Sequence, residues 1–288
     1  MRKLLAAALL LSPLLAVAKV PVVASFSIVA DITREIGGDK VEVQSLVGPD
    51  QDAHVFQPAP ADVKKLAAAK VFVVSGLGFE GWMPRMTRAA GFKGLTVTAA
   101  AKVKPRAAQE ADEHGGIDPH AWHNPQNVML YAQAIADGLS KADPADSAYF
   151  QQRATAYQAK LKQLDDWAAQ QFAAVPVGRR KVLTSHDAFG YFAARYQIRF
   201  MAPQGISTEA EASAKGVAQL IRQVKAEQVK AVFFENMSDH RLLEQLSKEA
   251  GVKVGGKLYA DALSNDGKAG SYLQLFRSNV ELLLSAMR

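Results

Sequence analysis

Three histidines and one aspartate offer the donor atoms from which a divalent-metal site can be built. Neutral imidazole nitrogens and a carboxylate oxygen form a ligand set that suits zinc, and the chain has no cysteine to supply a thiolate instead. The four residues are separated by 66, 66 and 75 positions, far more than the ligands of a zinc finger, so only a large folded scaffold can bring them together. The candidate ligands are His54, His120, His186 and Asp261.

Residues 117–125, which read IDPHAWHNP, contain the clearest local signal for such a site. Pro119 fixes its own φ and disfavours helix at Asp118, so we expect an ordered loop here. An ordered loop of this kind can aim the imidazole of His120 at a neighbouring part of the fold.

Residues 1–18 have the pattern of a secretory signal peptide. Arg2 and Lys3 precede an apolar run that is too short to span a bilayer, and residues 16–18 (Ala-Val-Ala) form a small-residue cleavage site. A mature chain from Lys19 has about 270 residues, which is more than one core usually organises, so we expect two lobes.

The absence of cysteine also bears on where the protein acts. An exported chain without cysteine has no disulfides, and it lacks the residue that carries the anchor of a bacterial lipoprotein. We therefore expect a soluble periplasmic protein without a lipid anchor. The net charge of +6 is spread over interspersed acidic and basic residues without a basic stripe among aromatic residues, so nucleic acid is not an expected partner.

Strand and helix patterns alternate in both halves of the chain, which predicts an α/β fold of two lobes, each with a parallel β-sheet flanked by helices. Residues 145–173 carry apolar side chains at helical spacing and predict one rigid helix, about 42 Å long, that joins the lobes. Each candidate ligand falls in a loop or after a predicted strand, where open α/β sheets bind ligands. The predicted segments are a signal peptide (1–18), an N-terminal α/β lobe (19–143), a connecting helix (144–176) and a C-terminal α/β lobe (177–288).

Other residues of the right chemical types each allow two interpretations. His114 is a surface residue of an acidic loop or a loose collector of ions, and His123 packs beside Trp122 or orients a ligand. His240 is expected to be solvated at a helix start, and Asp261 itself could instead cap a turn. Each of four carboxylates either lies at a helix N-terminus, where the helix dipole stabilises its charge, or orients a ligating imidazole: Glu80, Glu209, Glu211 and Glu235.

Six short segments, in order along the mature chain, carry a recognisable pattern. They are residues 25–32 (SFSIVADI), 46–54 (LVGPDQDAH), 76–80 (GLGFE), 118–122 (DPHAW), 185–189 (SHDAF) and 259–264 (YADALS). Together they resemble the zinc and manganese solute-binding proteins of ABC importers. The resemblance implies two α/β lobes joined by one rigid helix, with a metal held between them by His54, His120, His186 and Asp261. In manganese-specific relatives the third position is typically Glu, so His186 favours zinc.

The chain departs from the best-known zinc members of that family in one loop. Theirs is often long and rich in histidine ahead of the second ligand, whereas residues 110–116 are few and hold only His114. A periplasmic metallochaperone is nevertheless a candidate partner.

We expect a monomeric periplasmic protein that captures Zn²⁺, catalyses no reaction and delivers the ion to an inner-membrane ABC permease. Because histidine must be neutral to bind a metal, affinity is expected to fall below about pH 6.5. One alternative is the same scaffold used for manganese or iron. Another is a secreted zinc hydrolase with three ligands and Glu209 or Glu211 as base, although the chain has no H-E-x-x-H motif.

Overall fold

The structure is a computed structural model that describes residues 18–108, 116–209 and 213–288. Residues 1–17 of the predicted signal peptide, His114 with its acidic neighbours, and Glu211 lie outside the described residues. Within the described ranges, no helix is both long and apolar enough to cross a membrane. Two parallel β-sheets flanked by helices form an α/β fold of two lobes, which confirms the predicted fold class.

The first lobe is built on a four-stranded sheet. Its elements are β1 (Val20–Phe26), α1 (Ser27–Gly37), β2 (Val41–Val47), α2 (Pro60–Ala68), β3 (Val71–Val74), α3 (Met83–Ala89) and β4 (Leu95–Thr98). The strand order is β2-β1-β3-β4, and every pair is parallel. All four residues of β3 are apolar and buried, as expected for a strand inside a parallel sheet that is covered on both faces.

Along the chain, a small hairpin and two long helices come between the strands of the first sheet and those of the second. Strands β5 (Arg106–Ala107) and β6 (Ile117–Asp118) pair antiparallel, and helices α4 (Pro125–Ala142) and α5 (Ser147–Ala173) follow. Helix α5 has 27 residues and is therefore about 40 Å long. All the residues that the spacing assigned to its apolar face are buried: Phe150, Ala154, Tyr157, Leu161, Leu164, Ala168 and Phe172.

The second lobe repeats the arrangement of the first. Its elements are β7 (Lys181–Leu183), α6 (Gly190–Tyr196), β8 (Arg199–Met201), α7 (Ala214–Ala226), β9 (Ala231–Glu235), α8 (Arg241–Ala250), β10 (Lys253–Leu258) and α9 (Tyr272–Met287). The strand order is β10-β9-β7-β8, again parallel throughout.

The two lobes are joined by continuous packing rather than by a flexible linker. One hydrophobic core includes residues of both sheets, of α5 and of α9, and a smaller cluster lies under α7 and α8. On α5, the buried carboxylate of Asp165 accepts hydrogen bonds from Arg195 (2.8 Å) and from the hydroxyl of Tyr196 (2.7 Å), both on α6. Large relative movement of the lobes would have to break this core.

Two local features differ from the sequence expectations. The pattern does not predict α3, which has only seven residues, or α9, whose buried Asn279 bonds to both the N–H and the carbonyl of Tyr259. At the start of α2, the carboxylate of Asp62 accepts a hydrogen bond from the backbone N–H of Ala59 (3.1 Å).

Candidate metal centre

The four candidate ligands project from loops that meet between the lobes. His54 lies between β2 and α2, and His120 follows β6 directly. His186 comes three residues after β7, and Asp261 comes three residues after β10. Carboxyl ends of parallel strands from both sheets therefore face one crevice, which is where open α/β folds bind their ligands.

The donor atoms of these residues lie at the separations of a coordination shell. His54 Nε2 is 3.2 Å from His120 Nε2 and 3.2 Å from Asp261 Oδ2. His186 Nε2 is 3.0 Å from Asp261 Oδ2, and one donor atom from each of the four residues lies within 4.8 Å of the others. Around a tetrahedral zinc ion with bonds of about 2.0–2.1 Å, ligand atoms are roughly 3.3 Å apart.

The centre is almost completely closed to solvent. His120, His186 and Asp261 are fully buried, and His54 is 6% exposed. Within the described part of the chain, both carboxylate oxygens of Asp261 and Nε2 of His186 lack a partner in hydrogen-bonding geometry. Buried polar atoms without partners cost about 1–3 kcal/mol each. A cation between them would satisfy all three atoms at once, so the residues fit a divalent metal.

His186 is held from behind by a second carboxylate. Its Nδ1 makes a short hydrogen bond with Oε2 of Glu235, the last residue of β9. The other oxygen of Glu235 accepts hydrogen bonds from the backbone N–H groups of Ser185 (2.9 Å) and His186 (3.1 Å). This arrangement fixes the ring so that Nε2 points at the centre. Of the two interpretations of Glu235, the structure selects the orienting one.

His120 and His54 are each preceded, two residues earlier, by an aspartate. Asp118 Oδ1 lies 2.9 Å from His120 Nδ1 and also accepts the His120 backbone N–H (3.0 Å). Asp52 Oδ1 accepts the backbone N–H of His54 (2.9 Å). Neither Asp118 nor Asp52 was among the sequence candidates, although the repeated Asp-x-His spacing is a signal for both.

The four ligands have different protonation preferences because their neighbours differ. Burial opposes charge on Asp261, but the imidazoles of His186 and His120 outweigh it and hold the pKa of Asp261 well below its ordinary value. Burial also opposes charge on His186, yet Glu235 and Asp261 raise the pKa of His186 well above its ordinary value. Burial lowers the pKa of His54. These opposite shifts favour charge on His186 over charge on His54 when no metal is bound.

Aromatic rings form one wall of the centre. The Phe79 ring centroid lies 4.8 Å from that of His54, and the Trp122 centroid lies 5.3 Å from that of His120. Buried Glu80 fixes the loop that carries Phe79, because its carboxylate accepts hydrogen bonds from the backbone N–H of Ser75 (2.6 Å) and from the hydroxyl of Ser25 (2.8 Å). Glu80 thus positions a loop and does not contact a ligating imidazole.

The remaining sequence candidates lie outside the centre. His123 is buried against the ring of Phe189, with centroids 4.4 Å apart, and burial lowers its pKa to about 3. His240 is exposed and stacks on Phe234. Glu209 is exposed and is not at a helix start, because α7 begins at Ala214. Glu209 instead lines a cavity of about 530 Å³ that His54 also lines.

The fold and the site together define a two-lobed solute-binding protein with a buried metal centre. A family model described as zinc-uptake complex component A, periplasmic, matches residues 22–286. The chain belongs to this family of extracytoplasmic metal-binding proteins of ABC importers.

Relatives of known function cover nearly the whole chain. The manganese-binding lipoprotein MntA of Bacillus subtilis is 33% identical over 273 residues, which cover 93% of this chain and 89% of MntA. The iron ABC transporter substrate-binding lipoprotein MtsA of Streptococcus pyogenes serotype M1 is 32% identical over 270 residues, covering 91% and 87%. The periplasmic zinc-binding protein TroA from Treponema pallidum superposes with a TM-score of 0.88 at 28% identity, covering 94% and 99%.

The names of these relatives agree on the class of function but differ in the metal. All three are named as metal-binding or substrate-binding proteins, and the family model describes a zinc-uptake component, so this chain is a binding protein and not an enzyme. The hydrolase alternative is set aside. The metals in their names are manganese, iron and zinc. Two of them are lipoproteins, whereas the expectation for this chain was a protein without a lipid anchor.

Proposed function

We propose that this protein captures Zn²⁺ in the periplasm, using His54, His120, His186 and Asp261 as ligands, and delivers it to an inner-membrane ABC permease. The observation that carries the proposal is the donor set, because three imidazoles and one carboxylate within one shell form a nitrogen-rich site. Imidazole suits zinc, whereas manganese prefers carboxylate, carbonyl and water ligands. The family description and the likeness to TroA support the same metal.

Manganese or iron on the same scaffold is the second candidate. It is supported by MntA and MtsA, whose names refer to manganese and iron and which are 33% and 32% identical to this chain. Retention of manganese or iron against an equal concentration of zinc would support this candidate, because most nitrogen-containing sites bind zinc more tightly than either metal.

The decisive measurement is metal content and competition. The protein purified without added metal, analysed by elemental mass spectrometry, should contain about one zinc per chain. With equal Zn²⁺ and Mn²⁺ in metal-buffered solution, zinc should occupy nearly every site. His120→Ala should lose the zinc, whereas His240→Ala, which changes an exposed histidine, should retain it. Preferential retention of manganese or iron would reject the zinc assignment.

We place the protein free in the periplasm as a monomer, without a lipid anchor. Extraction of cell envelopes without detergent should therefore recover it in the soluble fraction. The proposed boundaries are residues 19–143 and 177–288 for the lobes and 144–176 for the connecting helix. Since a continuous core joins the lobes, release should proceed through loop rearrangement rather than wide opening.

A further inference from the structure

Asp50, which is not a candidate ligand, connects the loops that carry the centre. It lies four residues before His54, in the loop of the first lobe, and its partners all belong to the second lobe. Its backbone N–H donates to the carbonyl of Leu263 (2.8 Å), two residues after Asp261. Its Oδ1 accepts a hydrogen bond from the side-chain amide of Asn236 (2.9 Å), and Asn236 directly follows Glu235.

The second oxygen of Asp50 completes this set of contacts. Oδ2 accepts hydrogen bonds from the backbone N–H of Asn265 (3.1 Å) and from the hydroxyl of Ser264 (3.3 Å). Leu263 is also held on its other side, because its N–H donates to the hydroxyl of Ser27 in the first lobe (3.0 Å). The loop after Asp261 is therefore gripped by the first lobe at two points.

Two further observations indicate that this arrangement is specific. Asp50 has a φ of 57°, in the left-handed region that residues other than glycine rarely adopt. Burial opposes its charge, but the hydrogen bonds from Asn236, Asn265 and Ser264 outweigh it and hold the pKa of Asp50 below its ordinary value. The carboxylate is thus ionised, and both of its oxygens are used.

We propose that Asp50 and its partners Asn236, Leu263, Ser264 and Asn265 form a latch between the lobes that slows metal release. Through Asn236 and Leu263 the latch reaches the segments that hold His186 and Asp261, while Asp50 itself belongs to the His54 loop. It closes over the centre without contributing a ligand. Asp50 is a positioning residue, and its removal should let the loops separate more often while leaving the coordination shell intact.

The test is the rate of zinc release into excess chelator, measured by stopped flow with Zn²⁺ as the only added metal. In Asp50→Asn, an NH₂ group replaces one of the two acceptor oxygens, so two hydrogen-bond donors face each other. Losing one or two hydrogen bonds of ordinary strength should speed release by about three- to tenfold. Asp50→Gly, which favours the left-handed backbone, should give a similar rate, as should Asn236→Ala from the opposite side.

Three further readouts separate a latch from a ligand or from a merely structural residue. The stoichiometry, the Co²⁺ absorption spectrum and the association rate should remain those of the original chain. Asp39→Asn changes an exposed carboxylate of the first lobe that accepts a hydrogen bond from Tyr149 of α5, and it should leave release unchanged. The double variant Asp50→Asn/Asn236→Ala should release no faster than the faster single variant.

An unchanged release rate in both Asp50 variants would overturn the latch, and so would an altered Co²⁺ spectrum, which would make Asp50 part of the coordination shell. The inference rests on the proposed ligand set, but the two fail differently. If His120→Ala retained its metal, the ligand set would be wrong whatever the Asp50 variants did.

A second, independent observation concerns charge on the first lobe. Residues 60–108 contain nine Lys and Arg but only two acidic residues, Asp62 and the buried Glu80. Helices α2 and α3 pack side by side, and the exposed Lys64, Arg85 and Arg88 that they carry make no ion pair within the described part of the chain.

The same two helices border an apolar groove next to the cavity that His54 lines. A cavity of about 470 Å³ is lined by Val63, Trp82, Met86 and Arg85. Trp82 and Arg85 also line the neighbouring cavity of about 530 Å³, which includes His54. Val55, next to His54, is 48% exposed.

We infer that this groove between α2 and α3 docks an acidic, apolar-tipped segment of the metal-receiving permease. The inference rests on the proposed delivery to a permease, and complementary charge is the reason for choosing an acidic partner. A partner bound here would touch the His54 loop, the side of the centre that is nearest to solvent.

Charge reversal tests this surface. Arg85→Glu/Arg88→Glu should retain zinc affinity but lose most zinc uptake when it replaces the original protein in cells that lack their own copy. Lys248→Glu/Lys253→Glu makes the same charge change on exposed residues of the second lobe and should leave uptake unchanged.

The outcomes distinguish the possible failures. Normal uptake with Arg85→Glu/Arg88→Glu would overturn the docking surface alone. Failure of the original protein to restore uptake would overturn both the delivery proposal and the surface. Binding to phosphatidylglycerol vesicles that is lost on charge reversal would assign the surface to lipid and overturn the permease as its occupant.

Discussion

His186 and His54 lie on opposite sides of the same centre and are held in different ways. The His186 ring is fully buried, and the Glu235 carboxylate binds both its Nδ1 and its backbone N–H. His54 lines a cavity, and the neighbouring carboxylate of Asp52 accepts its backbone N–H. Charged neighbours raise the pKa of His186, whereas burial lowers that of His54. His186 forms the fixed side of the centre, and His54 forms the side that faces the cavity.

The largest effect is expected from removing the carboxylate that both sides share. Asp261→Ala removes one of the four ligands, and the only carboxylate among them. Changing a group behind a ligand typically costs about 10–100-fold in metal affinity, so losing the ligand itself should raise the Kd for zinc by at least about a hundredfold. Competition with a chromophoric chelator measures this. Asp166→Ala, which removes an exposed carboxylate of α5 paired with Lys162, should bind zinc normally.

The next effect concerns the fixed side alone. Glu235→Gln keeps the size of the side chain but weakens its hold on the His186 ring, and changes of this kind typically cost about 10–100-fold in metal affinity. Glu249→Gln changes an exposed glutamate of α8 in the same way and should have no effect. Equal affinities of Glu235→Gln and the original chain would show that the His186 ring needs no carboxylate behind it.

The sequence predicted the scaffold well because its signals are periodic and local. The apolar runs of β3 and β9 and the seven-residue apolar face of α5 each have one low-energy arrangement, with the apolar side chains buried. Helix α9 was not predicted, although its buried Leu275, Val280 and Leu283 share one helical face. What the sequence could not show is its tertiary contact, in which its first N–H donates to Asp31 of α1, 241 positions away.

The candidate site likewise has features that the sequence could predict and features that it could not. The residue types of His54, His120, His186 and Asp261 predicted which chemistry could occur, but spacings of 66 to 75 residues cannot show that the four side chains meet. The orienting role of Glu235 was equally hidden, since only the pairing of β7 with β9 brings its carboxylate to His186. The carboxylates near the histidines in sequence, Asp52 and Asp118, could have been found from the repeated Asp-x-His spacing.

Proton release measures which histidine carries charge before metal binds. Because the pKa of His186 lies well above 6.5, it is protonated at neutral pH, and zinc must displace about one proton. Affinity should then fall by about tenfold per pH unit on acidification, beginning above pH 6.5 rather than below it. The same proton stabilises the metal-free fold fully below about pH 6.5, and this stability is lost as pH rises through the folded pKa.

Calorimetry in buffers of different ionisation enthalpy counts these protons. Release of about one proton at pH 7 should persist in His54→Gln and decrease in Glu235→Gln, because only the second change lowers the pKa of His186. Zero release in the original chain would mean that His186 is neutral, and the contrast between the two histidines would lose its electrostatic basis.

The smallest effect is expected on the side of His54. In Asp52→Asn, the remaining side-chain oxygen can still accept the backbone N–H of His54. In the original chain the hydroxyl of Thr208 donates to Asp52 (2.7 Å), and in the variant the amide can donate to that hydroxyl instead. Asp118 has the same spacing to its histidine but contacts the His120 ring itself. Asp118→Asn should therefore weaken zinc binding by about tenfold and Asp52→Asn by about twofold. Equal zinc affinities of the two variants would show that a carboxylate contributes no more through the imidazole of a ligand than through its backbone N–H.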